Sequence, residues 1–136
     1  MPESTPAPHV EPFRVDVHPE RARVRVEPIG EVDLATADVL REQLRELRES
    51  GFHEVVLDLR RVTFLDSTGI ALILTEDRHA REAGLDFTLI SGPPAVQRVL
   101  GMCGVIDELR FVGAEPPRAD TADQPEDLSA TSALAL

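Results

Sequence analysis

Apolar and polar residues alternate from Phe13 to Val26: Phe13, Val15 and Val17, then Ala22, Val24 and Val26 with Arg21, Arg23 and Arg25 between them. Period two marks half-buried strands, and two such runs predict a hairpin that turns near His18 to Glu20. After Gly30 the spacing changes to three and four, with Ala37, Leu40, Leu44 and Leu47 on one helical face. Asp33 or Thr36 can cap this helix, and Gly51 ends it. Val55 to Leu59 is short, aliphatic and β-branched, which fits a strand buried on both faces at the centre of a sheet. A second helix follows, with Ile70, Ile73 and Leu74 as its inward stripe and Glu76, Asp77, Arg78, Arg81 and Glu82 as a solvated continuation up to Gly84. Leu85, Phe87 and Leu89 alternate with Asp86 and Thr88 as another strand. Pro93 and Pro94 open a third helix, through Val96, Val99, Leu100 and Cys103 to Gly104, and Leu109 to Val112 is a last short strand.

The order β-β-α-β-α-β-α-β predicts an α/β fold, a mixed and mostly parallel sheet with helices packed against it through right-handed crossovers. A chain of 136 residues with 42% apolar composition has room for one domain and one modest core. Residues 1–12 carry Pro2, Pro6, Pro8 and Pro12 and are expected to be a disordered leader. Residues 114–136 are expected to be an acidic, disordered tail, in which Glu115, Asp120, Asp123, Glu126 and Asp127 face a single Arg118. The folded domain is expected over 13–113.

Charge narrows the function. The formal net charge is −11 and every basic residue is an arginine, a balance that argues against nucleic-acid binding, where clustered Lys and Arg meet the phosphates. One cysteine, Cys103, excludes an internal disulfide and suits a reducing, cytoplasmic setting; on an apolar helix face it reads as a small buried hydrophobe. The start has no signal-peptide character, and no apolar run approaches the ~20 residues that cross a bilayer, so no membrane insertion is expected. Catalytic chemistry is thin. His9 falls in the leader, His18, His53 and His79 read as surface or loop residues, and none has the spacing of a metal pair or a triad. There is no Walker-type loop and no G-x-S-x-G elbow, so neither a metal nor a cofactor is expected.

One stretch stands apart. In VVLDLRRVTFLDSTGIALIL, Val55 to Leu74, a buried strand gives way to a helix at Asp66, Ser67, Thr68 and Gly69. The first N–H groups of a helix lack intrahelical partners and carry partial positive charge, so a hydroxyl placed there is accessible and its surroundings favour an anion such as phosphate. Two readings stay open from the local pattern. Asp66 and Ser67 can be plain helix caps, worth ~1 kcal/mol. Alternatively, Ser67 is a phosphorylation switch and the junction a docking point, with Thr68 as a second hydroxyl and Gly69 leaving the surface open to close approach.

That stretch, preceded by GEVDLATA (Gly30 to Ala37) and followed by GPPAVQRVLGMCG (Gly92 to Gly104), resembles the STAS domain of bacterial anti-sigma factor antagonists, in order and with compatible spacing over nearly all of 13–113. The resemblance implies a STAS fold and a non-enzymatic regulator. Such a protein binds an anti-sigma factor that is itself a serine kinase of the GHKL type, frees a sigma factor for transcription, and is itself phosphorylated by that kinase and restored by a PP2C-type phosphatase. By motif match the acceptor is Ser67, with Thr68 as the secondary candidate. Asp66 and Asp33 match acids near the recognition surface, so the implied partner-binding set is Asp33, Asp66, Ser67, Thr68 and Gly69. Asp58 matches the acid of the central strand, and is expected to be a carboxylate hydrogen-bonded within the sheet. The chain departs from the pattern at Thr68, where many relatives have a second serine, in its acidic tail and in its Pro-rich leader. An alternative within the fold is a non-switching STAS scaffold subunit of a stress-signalling or lipid-transport complex. An alternative from another class, a hydrolase with Ser67 as nucleophile, lacks a histidine placed to activate it.

Overall fold

The computed structural model describes residues 12–113. The leader up to residue 11 and the tail from residue 114, expected to be disordered, lie outside the described residues.

The hairpin forms as the alternation predicts, but its turn comes later. β1 (Arg14–Glu20) and β2 (Arg23–Val32) pair antiparallel from Arg14↔Ile29 to Glu20↔Arg23, so Arg21 and Ala22, not His18 to Glu20, make the connection. The helix α1 (Ala37–Glu49) leads to β3 (Glu54–Asp58), which runs parallel to β2 from Arg23↔Glu54 to Val26↔Leu57. A short strand, β4 (Val62–Leu65), comes next and was not anticipated from the pattern; it rejoins β2 further along, with Gly30↔Val62, Glu31↔Phe64 and Val32↔Leu65 in register. The helix α2 (Ser67–Ala83), the strand β5 (Asp86–Ile90) and the helix α3 (Pro94–Met102) complete the chain, with β5 parallel to β3. The sheet order is β1-β2-β3-β5, with β4 on β2. The strand expected over Leu109 to Val112 reduces to a single bridge, Leu89↔Phe111.

One long strand is thus flanked on one side by two short ones. Pro28, which has no N–H to offer, lies in the gap between the partners of β3 and those of β4. Gly30 marks the register shift with φ of 113°, a conformation that favours glycine, and its N–H donates to the Arg61 carbonyl at 3.1 Å.

The core lies on one face of the sheet. Val24 and Val26, Val55 and Leu57, and Phe87 and Leu89 stand in register and pack in one cluster with Leu40, Leu44 and Leu47 of α1, Ile70, Leu72 and Ile73 of α2, and Val96 and Leu100 of α3. The opposite face of β3 is buried as well, through Val56 and Asp58. Asp58 is 0% exposed. Its carboxylate accepts hydrogen bonds from the Arg60 N–H at 3.0 Å, from the Arg60 guanidinium at 2.8 Å and from Arg25 Nη1 at 2.8 Å. Burial by itself would raise its pKa, yet the two arginines outweigh that and hold it below the ordinary value of 3.8. The expected in-sheet carboxylate is therefore an ion-paired clamp at the break between β3 and β4.

Two further expectations are corrected. Glu76 and Asp77, read as solvated, are 5% and 7% exposed; Arg48 of α1 reaches Glu76 Oε1 at 2.5 Å, and Arg81 Nε reaches Asp77 Oδ2 at 2.8 Å. Burial is tolerable for these charges because each has a cation against it. Cys103, read as buried, is exposed, because it follows the last turn of α3 and does not sit on its inner face. Among the described residues no helix is long and apolar enough to cross a membrane.

Candidate functional site

Val32 and Leu65 are paired neighbours at the carboxyl ends of two parallel strands, β2 and β4. The next residues, Asp33 and Asp66, therefore leave the sheet side by side, and the Asp66 N–H still donates to the Val32 carbonyl at 3.3 Å. The carboxyl edge of parallel strands is where open α/β sheets place their ligands and partners, because the connections that follow are free to vary.

Each acid organises the start of the element that follows it. Asp33 Oδ1 accepts from the N–H groups of Ala35 at 3.0 Å and Thr36 at 3.2 Å. Thr36 occupies the cap position of α1 without a side-chain bond into the helix; its hydroxyl donates back to the Glu31 carbonyl at 2.7 Å. Asp66 is the cap of α2, extended at φ −105° and ψ −173°. Its Oδ1 accepts from Thr68 N–H at 2.9 Å and Gly69 N–H at 3.1 Å, satisfying two of the donors that a helix start leaves open.

This division of labour leaves Ser67 uncommitted. It is exposed on the first turn of α2, and among the described residues its hydroxyl forms no hydrogen bond. Of the two readings available for the pair, capping belongs to Asp66 alone. The helix terminus also differs from the empty anion site that the pattern suggested, because a carboxylate already holds the position where an anion would be stabilised. Thr68 is half-buried and its N–H is held by Asp66. Gly69, expected at the open surface, is buried. A Cβ there would stand 2.5 Å from Leu65 Cδ1, 2.9 Å from Val32 Cγ1 and 3.0 Å from the Val32 carbonyl oxygen. Glycine is present because α2 crosses β2 and β4 too closely for a side chain.

Two residues at this edge escaped the sequence reading. Leu34, directly after Asp33, is 78% exposed, and Phe64, on β4, is 49% exposed. The signal lay in the adjacency of Phe64 and Leu65, since successive strand residues point to opposite faces and only one of the two can enter the core. Two acids and two exposed apolar side chains thus stand at or just beyond the carboxyl ends of the paired strands β2 and β4, the second of which the serine follows. Of the histidines, His9 lies outside the described residues, His53 and His79 are exposed, and His18 bonds to Glu27 on the hairpin.

Comparison with known proteins places this architecture. The STAS domain family model matches residues 14–119. Osmosensory protein A of Mycobacterium tuberculosis is 31% identical over 74 residues, which is 54% of this chain and 46% of that protein; the chain therefore spans under half the length of that relative. The anti-sigma F factor antagonist of Paenibacillus polymyxa is 28% identical over 68% of this chain and 80% of its own length. Among solved structures, an anti-sigma factor antagonist from Mycobacterium paratuberculosis superposes with a TM-score of 0.68 at 21% identity, over 74% of this chain and 85% of that one. The Bacillus cell fate determinant SpoIIAA, solved in its phosphorylated form, superposes with a TM-score of 0.60 at 19% identity, over 79% and 96%. With the family match running from β1 through every described element, the chain belongs to the STAS domain family.

Proposed function

We propose that the protein is a cytoplasmic anti-sigma factor antagonist. It binds an anti-sigma factor that is a GHKL-type serine kinase and so releases a sigma factor; phosphorylation of Ser67 ends the complex and a PP2C-type phosphatase restores it. The observation that carries this reading is the exposed, unbonded Ser67 hydroxyl beside a cap that Asp66 already supplies. Relatives named as anti-sigma factor antagonists support it, as does the existence of a phosphorylated form of SpoIIAA.

The physical case for a switch rests on where the charge falls. A phosphoserine adds ~−1.5 to −2 charge, here next to Asp66. The domain itself tolerates this, because Ser67 faces water and donates nothing to the core. A partner seated on Asp33, Asp66, Ser67 and Thr68, with Leu34 and Phe64 as apolar anchors, would have to bury the dianion or leave a gap around it. Burying it costs several kcal/mol, and each ~1.4 kcal/mol is tenfold in affinity. Gly69 contributes from below by holding α2 against the sheet.

Incubation with the cognate kinase and ATP, followed by mapping of the phosphate by mass spectrometry, tests the assignment. Phosphate on Ser67, retained partner binding in Ser67→Ala and weakened binding in Ser67→Asp are expected. Modification confined to Thr68, or none with a kinase shown to be competent, overturns it.

A further inference from the structure

The sheet face turned away from the helices carries a second group of side chains. On β1, Val15 and Val17 pack on the core, so by alternation Asp16 and His18 project from the opposite face. Across the antiparallel ladder Asp16 is paired with Glu27, and His18 with Arg25, which sets Glu27 diagonally opposite His18. Ligand atoms of Asp16, His18 and Glu27 all lie within 4.8 Å of one another, and His18 Nε2 is 3.1 Å from Glu27 Oε1.

We propose that Asp16, His18 and Glu27 form a binding site for one zinc-like divalent transition-metal ion. Zinc bonds of ~2.0–2.2 Å to imidazole nitrogen and carboxylate oxygen imply ligand atoms roughly 3.0–3.5 Å apart. The His18–Glu27 pair already has that spacing, and rotation of the Asp16 side chain by less than ~2 Å at its oxygens would bring the third ligand in. The donor set selects the class of ion. One imidazole with two carboxylates suits zinc, cobalt or manganese, whereas calcium and magnesium prefer oxygen ligands throughout. Two carboxylates supply the charge to neutralise a dication once Arg14 and Arg25 turn away from them, and the chain's charge of −11 favours cation approach.

The donors stand on two strands fixed by their own main-chain ladder, so no loop has to be ordered on binding. Arginines compete for the same acids. Arg14 Nε lies 3.2 Å from Asp16 Oδ1 and Arg25 Nη1 lies 3.8 Å from Glu27 Oε1. Arg25 has a nearer partner in Asp58 at 2.8 Å and loses little by giving up Glu27, while Arg14 is half-exposed and can turn into solvent. This competition lowers the affinity below that of three unpaired ligands. Three protein ligands leave room in the coordination shell for water.

Calorimetric titration of the full-length protein with zinc chloride tests the site, with every sample carrying Cys103→Ser to remove the exposed thiol as a ligand. A single equivalent is expected to bind at micromolar zinc, and saturating zinc is expected to raise Tm. Glu27→Gln, which keeps the shape of the side chain, and His18→Ala should each weaken binding by roughly tenfold or more. His53→Ala should leave it unchanged. Absence of binding at millimolar zinc, or affinity undiminished in both Glu27→Gln and His18→Ala with circular dichroism intact, overturns the proposal.

Discussion

Asp58 and Asp66 sit at the ends of successive short strands, and each accepts a hydrogen bond from the main-chain N–H two residues on, Arg60 in one case and Thr68 in the other. There the likeness ends. Asp58 is wholly buried and its remaining acceptor capacity is taken by two guanidinium groups. Asp66 is half-buried, bonds only to backbone, and is followed by an exposed serine whose hydroxyl is spare. The same side chain locks the shape of the sheet at one strand end and presents a surface at the next. What separates the two is whether cations close over the carboxylate.

The largest expected effect comes from opening the clamp. Asp58→Asn leaves Arg25 and Arg60 facing a neutral amide and should cost about 3 kcal/mol, at the low end for a broken buried pair because both guanidinium groups stay part-wet. That corresponds to a Tm lower by roughly 15 °C. The pH dependence follows the same bond. Because the folded pKa of Asp58 is depressed, its contribution is present above the ordinary value of 3.8 and is lost as pH falls through the lower folded value. Acid titration of stability should therefore steepen below about pH 4 in the parent and flatten in Asp58→Asn. Equal acid sensitivity in the two proteins would remove the distinction drawn between the acids.

Next in size is Gly69→Ala, which pushes a methyl into Leu65 and Val32 and should destabilise by roughly 1–3 kcal/mol in denaturant unfolding. A loss of partner affinity without a loss of stability would instead return Gly69 to the surface. Asp66→Ala removes a cap that serves two N–H groups and should cost ~1 kcal/mol, a third of the Asp58 effect. Smallest is Ser67→Ala, with a change within ~0.5 kcal/mol; a larger loss would mean that the serine does structural work and would weaken its place as a switch.

How far the chain could be read in advance follows from the range of the forces involved. The hairpin, the three helices and the Asp66 junction were legible because period and capping act over a few residues. β4 was not, since four residues with both Phe64 and Leu65 apolar have no clean alternation, and their pairing with β2 is a tertiary event. Glu76 and Asp77 looked solvated because their charges are local, whereas the cation that permits burial of Glu76 comes from Arg48 on another helix. Gly69 was visible as a glycine, but the atoms that demand it belong to two other strands. At the site, the motif pointed to Ser67, Asp66 and Asp33; the apolar rim of Leu34 and Phe64 emerged only with their exposure.

Among the described residues β1 is the outermost strand of the sheet on its side, with one row of its peptide groups outside the ladder. Such an edge invites molecules to zip together. Here the strand carries Arg14, Asp16, His18 and Glu20, and Pro19 removes one donor from the row. Charge and proline make zipping of copies along β1 unfavourable, so the sheet keeps this edge without offering a ready template for its own stacking.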